Sequence, residues 1–157
     1  MLKQTNKEYD ISELHLITQD LNNLITNEEL TKMVELTIQA KERSYSPYSK
    51  FRVGCCLISE DGKFFQGTNV ENLTYGLTVC SERTAIGVAV VNGCRKFKGI
   101  VITTDMDYFV TPCGMCRQTL KEFEVQNIIL INSKNKLVLH QLEYLLPSGP
   151  RIDHLGK

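Results

Sequence analysis

The chain has 157 residues, enough for one domain with a complete core, and its 42% hydrophobic and 23% charged residues are ordinary for a globular protein. Eighteen basic residues balance eighteen acidic ones, which disfavours a protein held on nucleic acid by phosphate contacts. No apolar run approaches the roughly 20 residues of a membrane-spanning helix, and the polar, acidic N-terminus is unlike a signal peptide. The prediction is a cytoplasmic protein that binds neither membrane nor nucleic acid.

The N-terminal part of the chain carries the weakest pattern. Over residues 1–26, apolar side chains near helical spacing predict an extension with a short helix from Asp10 to Asn22, and the pattern leaves a disordered tail open as the alternative. The next segment is clearer, because Asn27 can cap a helix that has two glutamates in its first turn and an apolar stripe along one side. That helix is expected to end near Arg43, before Pro47, since the residue preceding a proline avoids the helical region.

Strands and helices alternate along the rest of the chain. Strands are predicted where β-branched and apolar residues cluster: Phe51–Ser59, Lys63–Glu71, Gly99–Thr104, Asn127–Asn132 and Leu137–His140. Helices are predicted where apolar residues follow the helical period: Cys80–Asn92, Met115–Phe123 and Gln141–Leu146. This order predicts an α/β fold in which helices cover one five-stranded sheet.

Three of the six cysteines have the spacing of metal ligands. Cys113 and Cys116 stand at the start of a predicted helix, where two thiolates can hold one ion and the helix amide groups stabilise their charge. A C-x-x-C pair alone is equally typical of a redox dithiol. Cys80 opens another predicted helix and would complete three protein ligands, which leaves one position for water as in catalytic zinc sites. The remaining cysteines are predicted to be small core residues: Cys55, Cys56 and Cys94.

Glu82 lies two residues after Cys80, in the first turn of the same predicted helix. At a helix end, both side chains can approach an ion placed above the first turn. A carboxylate beside a zinc-activated water can take its proton and later return it to a substrate. A glutamate that only interacts with the helix dipole is common at such positions, but the three-cysteine pattern favours the catalytic interpretation.

Five blocks, in this order along the chain, resemble the homotetrameric nucleoside cytidine deaminases that use three cysteines to hold zinc. Their general signature is H/C-x-E followed by P-C-x-x-C. The blocks span about two thirds of the chain and read as follows: Ser46-Pro-Tyr-Ser49 with Phe51, Val53 and Gly54; Gly67-Thr-Asn-Val-Glu-Asn72; Cys80-Ser-Glu-Arg-Thr-Ala85; Pro112-Cys-Gly-Met-Cys-Arg-Gln118; and Leu145-Leu-Pro147.

The resemblance implies a three-layer α/β/α sandwich with a mixed five-stranded sheet, in a catalytic domain over residues 27–157. It implies one Zn²⁺ per chain, held by Cys80, Cys113 and Cys116, and proton transfer by Glu82. The implied reaction is hydrolysis of cytidine and 2′-deoxycytidine to uridine and 2′-deoxyuridine plus ammonia, in pyrimidine salvage.

The resemblance also assigns contacts around the metal. Asn69 and Glu71 match the pair that binds the ribose 3′-hydroxyl. Because they are two residues apart on a predicted strand, their side chains would share a face. Phe51 matches the aromatic residue that packs on the pyrimidine. Arg83 matches the arginine that donates to zinc-bound thiolates and offsets the excess negative charge of three thiolates around Zn²⁺. Without the resemblance, a polar strand edge, a core phenylalanine and a surface arginine are the ordinary interpretations.

A homotetramer with shared active sites is predicted from the same resemblance. Tyr75 matches a tyrosine at a subunit-shared site, and the helix from Cys80 to Asn92 is apolar around most of its circumference, which favours burial against a second copy. Two features depart from the family. No aromatic residue follows Pro147 in the Ser148–Arg151 segment, where one often closes a neighbouring site, and the N-terminal extension has no counterpart.

Three other functions remain open from the sequence. A polynucleotide editor with this fold would need a basic groove and long loops. A deaminase for a nucleoside-like antibiotic would carry the same zinc motif. A zinc module without activity would need a fourth protein ligand and no Glu82.

Overall fold

The structure is a computed structural model, and it describes residues 7–150. Both termini, residues 1–6 of the predicted extension and residues 151–157 of the predicted catalytic domain, lie outside the described residues. The described part of the chain forms six strands: β1 (Glu8–Asp10), β2 (Val53–Ser59), β3 (Phe64–Thr68), β4 (Phe97–Thr104), β5 (Asn127–Ile131) and β6 (Lys136–Gln141). Within the same residues there are five α-helices: α1 (Leu14–Asp20), α2 (Asn27–Glu42), α3 (Ser81–Val91), α4 (Gly114–Glu122) and α5 (Leu142–Leu145). None of these helices is long and apolar enough to cross a membrane.

All six strands belong to one mixed sheet, in the order β1-β6-β5-β4-β2-β3. Strands β4 and β5 run parallel, and the other neighbours run antiparallel. The prediction of five strands was therefore wrong by one, because β1 adds to the free edge of β6 and sets Tyr9 opposite Leu137. A strand of three residues is too short to show the alternation by which strands are recognised in a sequence.

Helices cover both faces of the sheet, which confirms the predicted three-layer sandwich. One apolar cluster joins α1 and α2 to the sheet, and a second joins α3, α4 and α5 to the opposite face. Strand β2 contributes to both clusters, because successive strand residues point to opposite faces. Cys56 packs on the α2 side and Cys55 on the α3 side, and both are fully buried.

The segment before α2 shares the core of the α2 face. A helix occupies Leu14–Asp20, within the range for which the sequence left a helix or a disordered tail open. The Tyr9 hydroxyl donates a hydrogen bond to Asp20, and Lys136 pairs with Asp10 at 2.8 Å, so β1 and α1 are tied to each other and to β6. Apolar side chains of this segment pack with those of α2: Tyr9, Leu14, Ile17, Leu21 and Ile25.

The cap of α2 lies one residue earlier than predicted, so the helix itself begins at Asn27. Thr26 is the cap, because its hydroxyl accepts from the Glu29 amide at 3.2 Å and the Glu29 carboxylate accepts from the Thr26 amide at 2.9 Å. The C-terminal half of α2 lies directly on β2, where a Cβ at Gly54 would fall 2.3 Å from the Lys41 nitrogen. This close approach fixes the loop of residues 44–52, which leads from α2 to the candidate site.

Candidate active site

The three predicted metal ligands meet at the N-terminal ends of two helices. Cys80 immediately precedes α3, Cys113 immediately precedes α4, and Cys116 lies in the first turn of α4. Their Sγ atoms all lie within 4.8 Å of one another, and those of Cys80 and Cys113 are 3.8 Å apart. Four-coordinate zinc with Zn–S bonds of about 2.3 Å separates its sulfurs by about 3.8 Å. The cluster therefore fits one Zn²⁺ per chain.

Close packing of the sheet against α3 fixes one half of the cluster. A Cβ at Gly67 would fall 2.1 Å from the Ser81 carbonyl oxygen and 2.7 Å from the Ala85 nitrogen. Only a glycine lets β3 approach the first turn of α3 so closely. This contact holds Cys80 and Glu82 at the edge of the sheet.

The thiols are poised to carry negative charge. Hydrogen bonding with Cys116, and then with the guanidinium of Arg83, lowers the pKa of Cys80 to about 5. The same contact with Cys80, together with burial, raises the pKa of Cys116. One sulfur of the cluster is thus a thiolate at neutral pH, and a bound divalent cation would favour loss of the remaining thiol protons.

Arg83 lies beside the cluster, as its predicted role requires. Its Nη2 donates to the Thr78 carbonyl oxygen at 3.0 Å and lies 3.8 Å from the Cys80 Sγ. Its Nε is buried and has no hydrogen-bond partner among the described residues. The guanidinium therefore keeps donor capacity for a negatively charged sulfur, and its positive charge helps to lower the pKa of Cys80.

Glu82 faces the same cluster from the first turn of α3. Its side chain is buried, and its Oε2 accepts a hydrogen bond from the Ser81 Oγ at 3.0 Å. Burial raises the pKa of the Glu82 carboxyl, and the neighbouring Cys80 charge adds to the increase. A raised pKa suits a group that must take up and release a proton near neutral pH.

A pocket of about 370 Å³ lies next to the cluster, within the usual size of small-ligand sites, about 300–1,000 Å³. Thr78 connects the two, since it lines the pocket and its carbonyl accepts from Arg83. The pocket is lined by residues of the 44–52 loop and of the segment after β3: Tyr48, Ser49, Glu71, Tyr75 and Thr78.

Asn69 lies just beyond the end of β3 and is buried. Its Oδ1 accepts from the Ser44 hydroxyl at 2.6 Å and from the Val53 amide at 2.9 Å, and its Nδ2 donates to the Phe51 carbonyl at 2.8 Å. An amide group offers two N–H donors. One Nδ2 hydrogen is therefore not used by these contacts, and the contacts hold the backbone that carries Phe51, whose side chain is half-buried.

Glu71, two residues after Asn69, also binds the 44–52 loop. Its Oε2 accepts from the Tyr48 and Ser49 amides at 3.0 and 3.2 Å, and the Ser49 hydroxyl donates to Oε1. The hydrogen bond from Ser49 holds the pKa of Glu71 below its ordinary value, so the group is a carboxylate that can accept from a ligand hydroxyl. Strand β3 ends at Thr68, short of the predicted end at Glu71.

Arg117 was not predicted as a site residue from the sequence. Arg117 donates from Nε to the Pro112 carbonyl at 2.7 Å, from Nη2 to the Thr111 hydroxyl at 2.9 Å and from Nη1 to the Leu145 carbonyl at 2.8 Å. It thereby ties the loop before Cys113 to α5. Its position directly after the C-x-x-C pair is a signal, but an arginine on a helix surface is the ordinary interpretation of such a position.

A cluster of three cysteines with an adjacent buried carboxyl group, at paired helix N-termini and beside a pocket, has the composition of a catalytic zinc site that keeps one position for water. The class of protein so defined is a zinc hydrolase.

Comparison with known proteins identifies the family. Residues 27–132 match the family model of the cytidine and deoxycytidylate deaminase zinc-binding region. The chain is 41% identical over 124 residues to a probable cytidine deaminase of Dictyostelium discoideum, covering 78% of this chain and 84% of that protein. The crystal structure of cytidine deaminase from Burkholderia pseudomallei aligns with a TM-score of 0.73 and 36% identity over 76% of this chain and 97% of that one. A blasticidin-S deaminase of Bacillus cereus is 32% identical over 73% of this chain and 89% of that protein. The chain therefore belongs to the cytidine and deoxycytidylate deaminase family of zinc-dependent hydrolases.

Proposed function

We propose that this protein hydrolyses cytidine and 2′-deoxycytidine to uridine and 2′-deoxyuridine, with release of ammonia, as a step of pyrimidine salvage. The observation that carries the proposal is the three-cysteine cluster with the buried Glu82 beside it, next to a pocket that Glu71 helps to line. Formation of uridine and ammonia from cytidine by the purified protein tests it.

Proton transfer is the role we assign to Glu82. A Zn²⁺ ion held by Cys80, Cys113 and Cys116 would supply a water of lowered pKa, nucleophilic at neutral pH. Glu82 takes the proton of the attacking water and delivers it to N3 of the pyrimidine, so that a C4–O bond forms. Glu82 then takes the proton of the new C4 hydroxyl and delivers it to the amine, so that the C4–N bond breaks, ammonia leaves and the C4=O bond of uridine forms. Burial of the carboxyl limits proton exchange with bulk water.

Recognition of the sugar is the role we assign to Asn69 and Glu71. The remaining Nδ2 hydrogen of Asn69 would donate to the ribose 3′-hydroxyl, and the Glu71 carboxylate would accept from it. Phe51 would pack on the pyrimidine ring. Support comes from the contacts of both polar side chains with the 44–52 loop, and from the position of Glu71 in the lining of the pocket.

Replacing Asn69 by alanine is expected to raise the KM for cytidine about tenfold, because a buried hydrogen-bond partner of the substrate is lost. Zinc content should stay at one per chain. Ser44→Ala is the matched control, since it removes a contact to Asn69 Oδ1 and leaves the Nδ2 donor in place. Steady-state kinetics would contradict the sugar role if Asn69→Ala behaved like the wild type, or if both variants lost activity equally.

A nucleoside-like antibiotic is the second candidate substrate, since the Bacillus cereus relative is a blasticidin-S deaminase. A site built for cytidine uses the ribose 3′-hydroxyl, so cytidine should be deaminated faster than blasticidin S at equal concentration. A cytosine-containing single-stranded oligonucleotide serves as the third substrate in the same assay. Its preferential deamination would favour a polynucleotide editor.

Assembly as a homotetramer is also proposed. Helix α3 packs its inner face on the sheet through Ala85 and Ala89, whereas Val88 and Val91 on its outer face are exposed, Val91 by 82%. Near the pocket, Tyr75 is 74% exposed and packs on Tyr48 with ring centroids 6.2 Å apart. More exposed apolar side chains follow Glu71: Leu73, Leu77 and Val79. Several large exposed apolar side chains on neighbouring segments are typical of a subunit interface.

Light scattering at micromolar concentration is expected to give four times the chain mass of 17.9 kDa. Val91→Asp should shift the protein toward smaller species, because a charge would then have to be buried in the interface. Leu24→Asp is the control, since Leu24 is half-exposed in the loop between α1 and α2, away from this surface. A fully active wild-type monomer would contradict the assembly.

A cytoplasmic location completes the proposal. All six cysteines are free thiols, a state that a reducing compartment maintains. Subcellular fractionation in the native host is the test, and recovery in an oxidising compartment would contradict it.

A further inference from the structure

We propose that Ser81 is a positioning residue that holds the Glu82 carboxylate toward the metal cluster, an inference that rests on the proposed proton-transfer role of Glu82. Ser81 is the first residue of α3 and is fully buried. Its Oγ donates to the Glu82 Oε2 at 3.0 Å. No other role for this hydroxyl is evident from its contacts.

A catalytic glutamate needs a hydrogen-bond donor that fixes its carboxylate more than the shorter aspartate does. Its side chain has three rotatable bonds, and without fixed contacts it samples several conformations. In this site the Ser81 hydroxyl lies 3.0 Å from the Glu82 Oε2, in the first turn of the helix that Cys80 immediately precedes. The contact therefore restricts the carboxylate to the side of α3 that carries the metal cluster.

A hydroxyl suits a group that changes protonation state in every turnover. It donates to a carboxylate, and after rotation about the Cβ–Oγ bond its oxygen can accept from a carboxylic acid. Ser81 can thus keep its contact with Glu82 both before and after Glu82 takes up a proton. An ammonium group could not serve both states, because it has donors and no acceptor.

The packing of Gly67 on the first turn of α3 constrains Ser81 in turn, and the fully buried Cys55 lies in the apolar cluster that α3 covers on this face of the sheet. Gly67 contacts the Ser81 carbonyl and fixes the backbone. The hydroxyl is left with Glu82 as its acceptor.

Ser81→Ala tests the inference in the zinc-loaded protein. We expect kcat for cytidine to fall about tenfold, as for loss of one hydrogen bond to a charged group, with KM changed less than twofold. Affinity for a pyrimidine nucleoside analogue hydrated across the 3,4 bond should fall in parallel, while affinity for uridine should not. Zinc content and the midpoint of thermal unfolding should match the wild type. Ser59→Ala is the control, because Ser59 is a buried serine at the far end of β2, bonded to Asp61, and its loss should leave kcat unchanged.

Ser81→Thr retains a hydroxyl and should keep kcat within about threefold of the wild type. The inference is overturned if Ser81→Ala has wild-type kcat, if it loses zinc or stability, or if a folded, zinc-loaded Ser81→Thr is as slow as Ser81→Ala. The activity of Glu82→Gln shows whether only the positioning role of Ser81 is wrong or whether the proposed function is wrong as well. If Glu82→Gln is inactive and Ser81→Ala is normal, only the positioning role is wrong, whereas an active Glu82→Gln removes the proton-transfer role itself.

Discussion

Glu82→Gln is expected to lower kcat for cytidine by a factor of about 100 to 10,000, the usual contribution of general acid–base catalysis. The amide has nearly the same shape as the carboxyl and can keep a hydrogen bond to Ser81, but it cannot accept and release a proton at neutral pH. Because Glu82 is not a ligand of the predicted zinc site, metal content should remain at one Zn²⁺ per chain.

The matched control is Glu35→Gln, on the exposed side of α2, where Glu35 forms only a surface pair with Lys32. This variant should retain wild-type kinetics. Elemental analysis and steady-state kinetics on both proteins are needed. A zinc-loaded Glu82→Gln enzyme with near-normal kcat would mean that another base moves the protons.

Cys116→Ala is expected to abolish zinc binding and activity together. Cys116 is the buried member of the cluster. Its removal leaves two thiols, one fewer than the three protein ligands of a catalytic zinc site. Zinc content should fall from one per chain to a small fraction of one after dialysis, and uridine formation should fall with it. The variant also leaves a cavity beneath Glu82, so its unfolding midpoint should be measured in parallel.

Cys94→Ala controls for the loss of a thiol as such. Cys94 lies beyond the end of α3, and it is not one of the three clustered cysteines. Zinc content and kinetics should both be unchanged in this variant. If Cys116→Ala still held one tightly bound zinc, the assignment of the cluster as the metal site would be wrong.

The sequence predicted the layers of the fold because its long elements have clear periods. The stripe on α2 and the β-branched run of β4 each exceed the length at which a helix or a strand can be recognised. The ends of strands were less predictable. Strand β3 stops at Thr68 because Asn69 bonds Phe51 and Val53 through its side chain, a contact that depends on a loop 16 to 18 residues earlier in the chain.

The candidate site was predictable to the extent that it depends on local spacing. Cys80 and Glu82 share one helix start, and Cys113 and Cys116 share another, so each half of the cluster is visible as a motif. Contacts between the halves and the sheet are not local. The 3.8 Å approach of Cys80 to Cys113 and the approach of Gly67 to α3 both depend on the tertiary fold.

The most direct test is to titrate zinc into protein that has been stripped of metal by a chelator, with cytidine as substrate. Uridine and ammonia should form in equal amounts, and the rate should rise in proportion to added zinc until one Zn²⁺ is bound per chain. Full activity in the stripped protein, or a zinc-saturated protein that forms no uridine, would contradict the account.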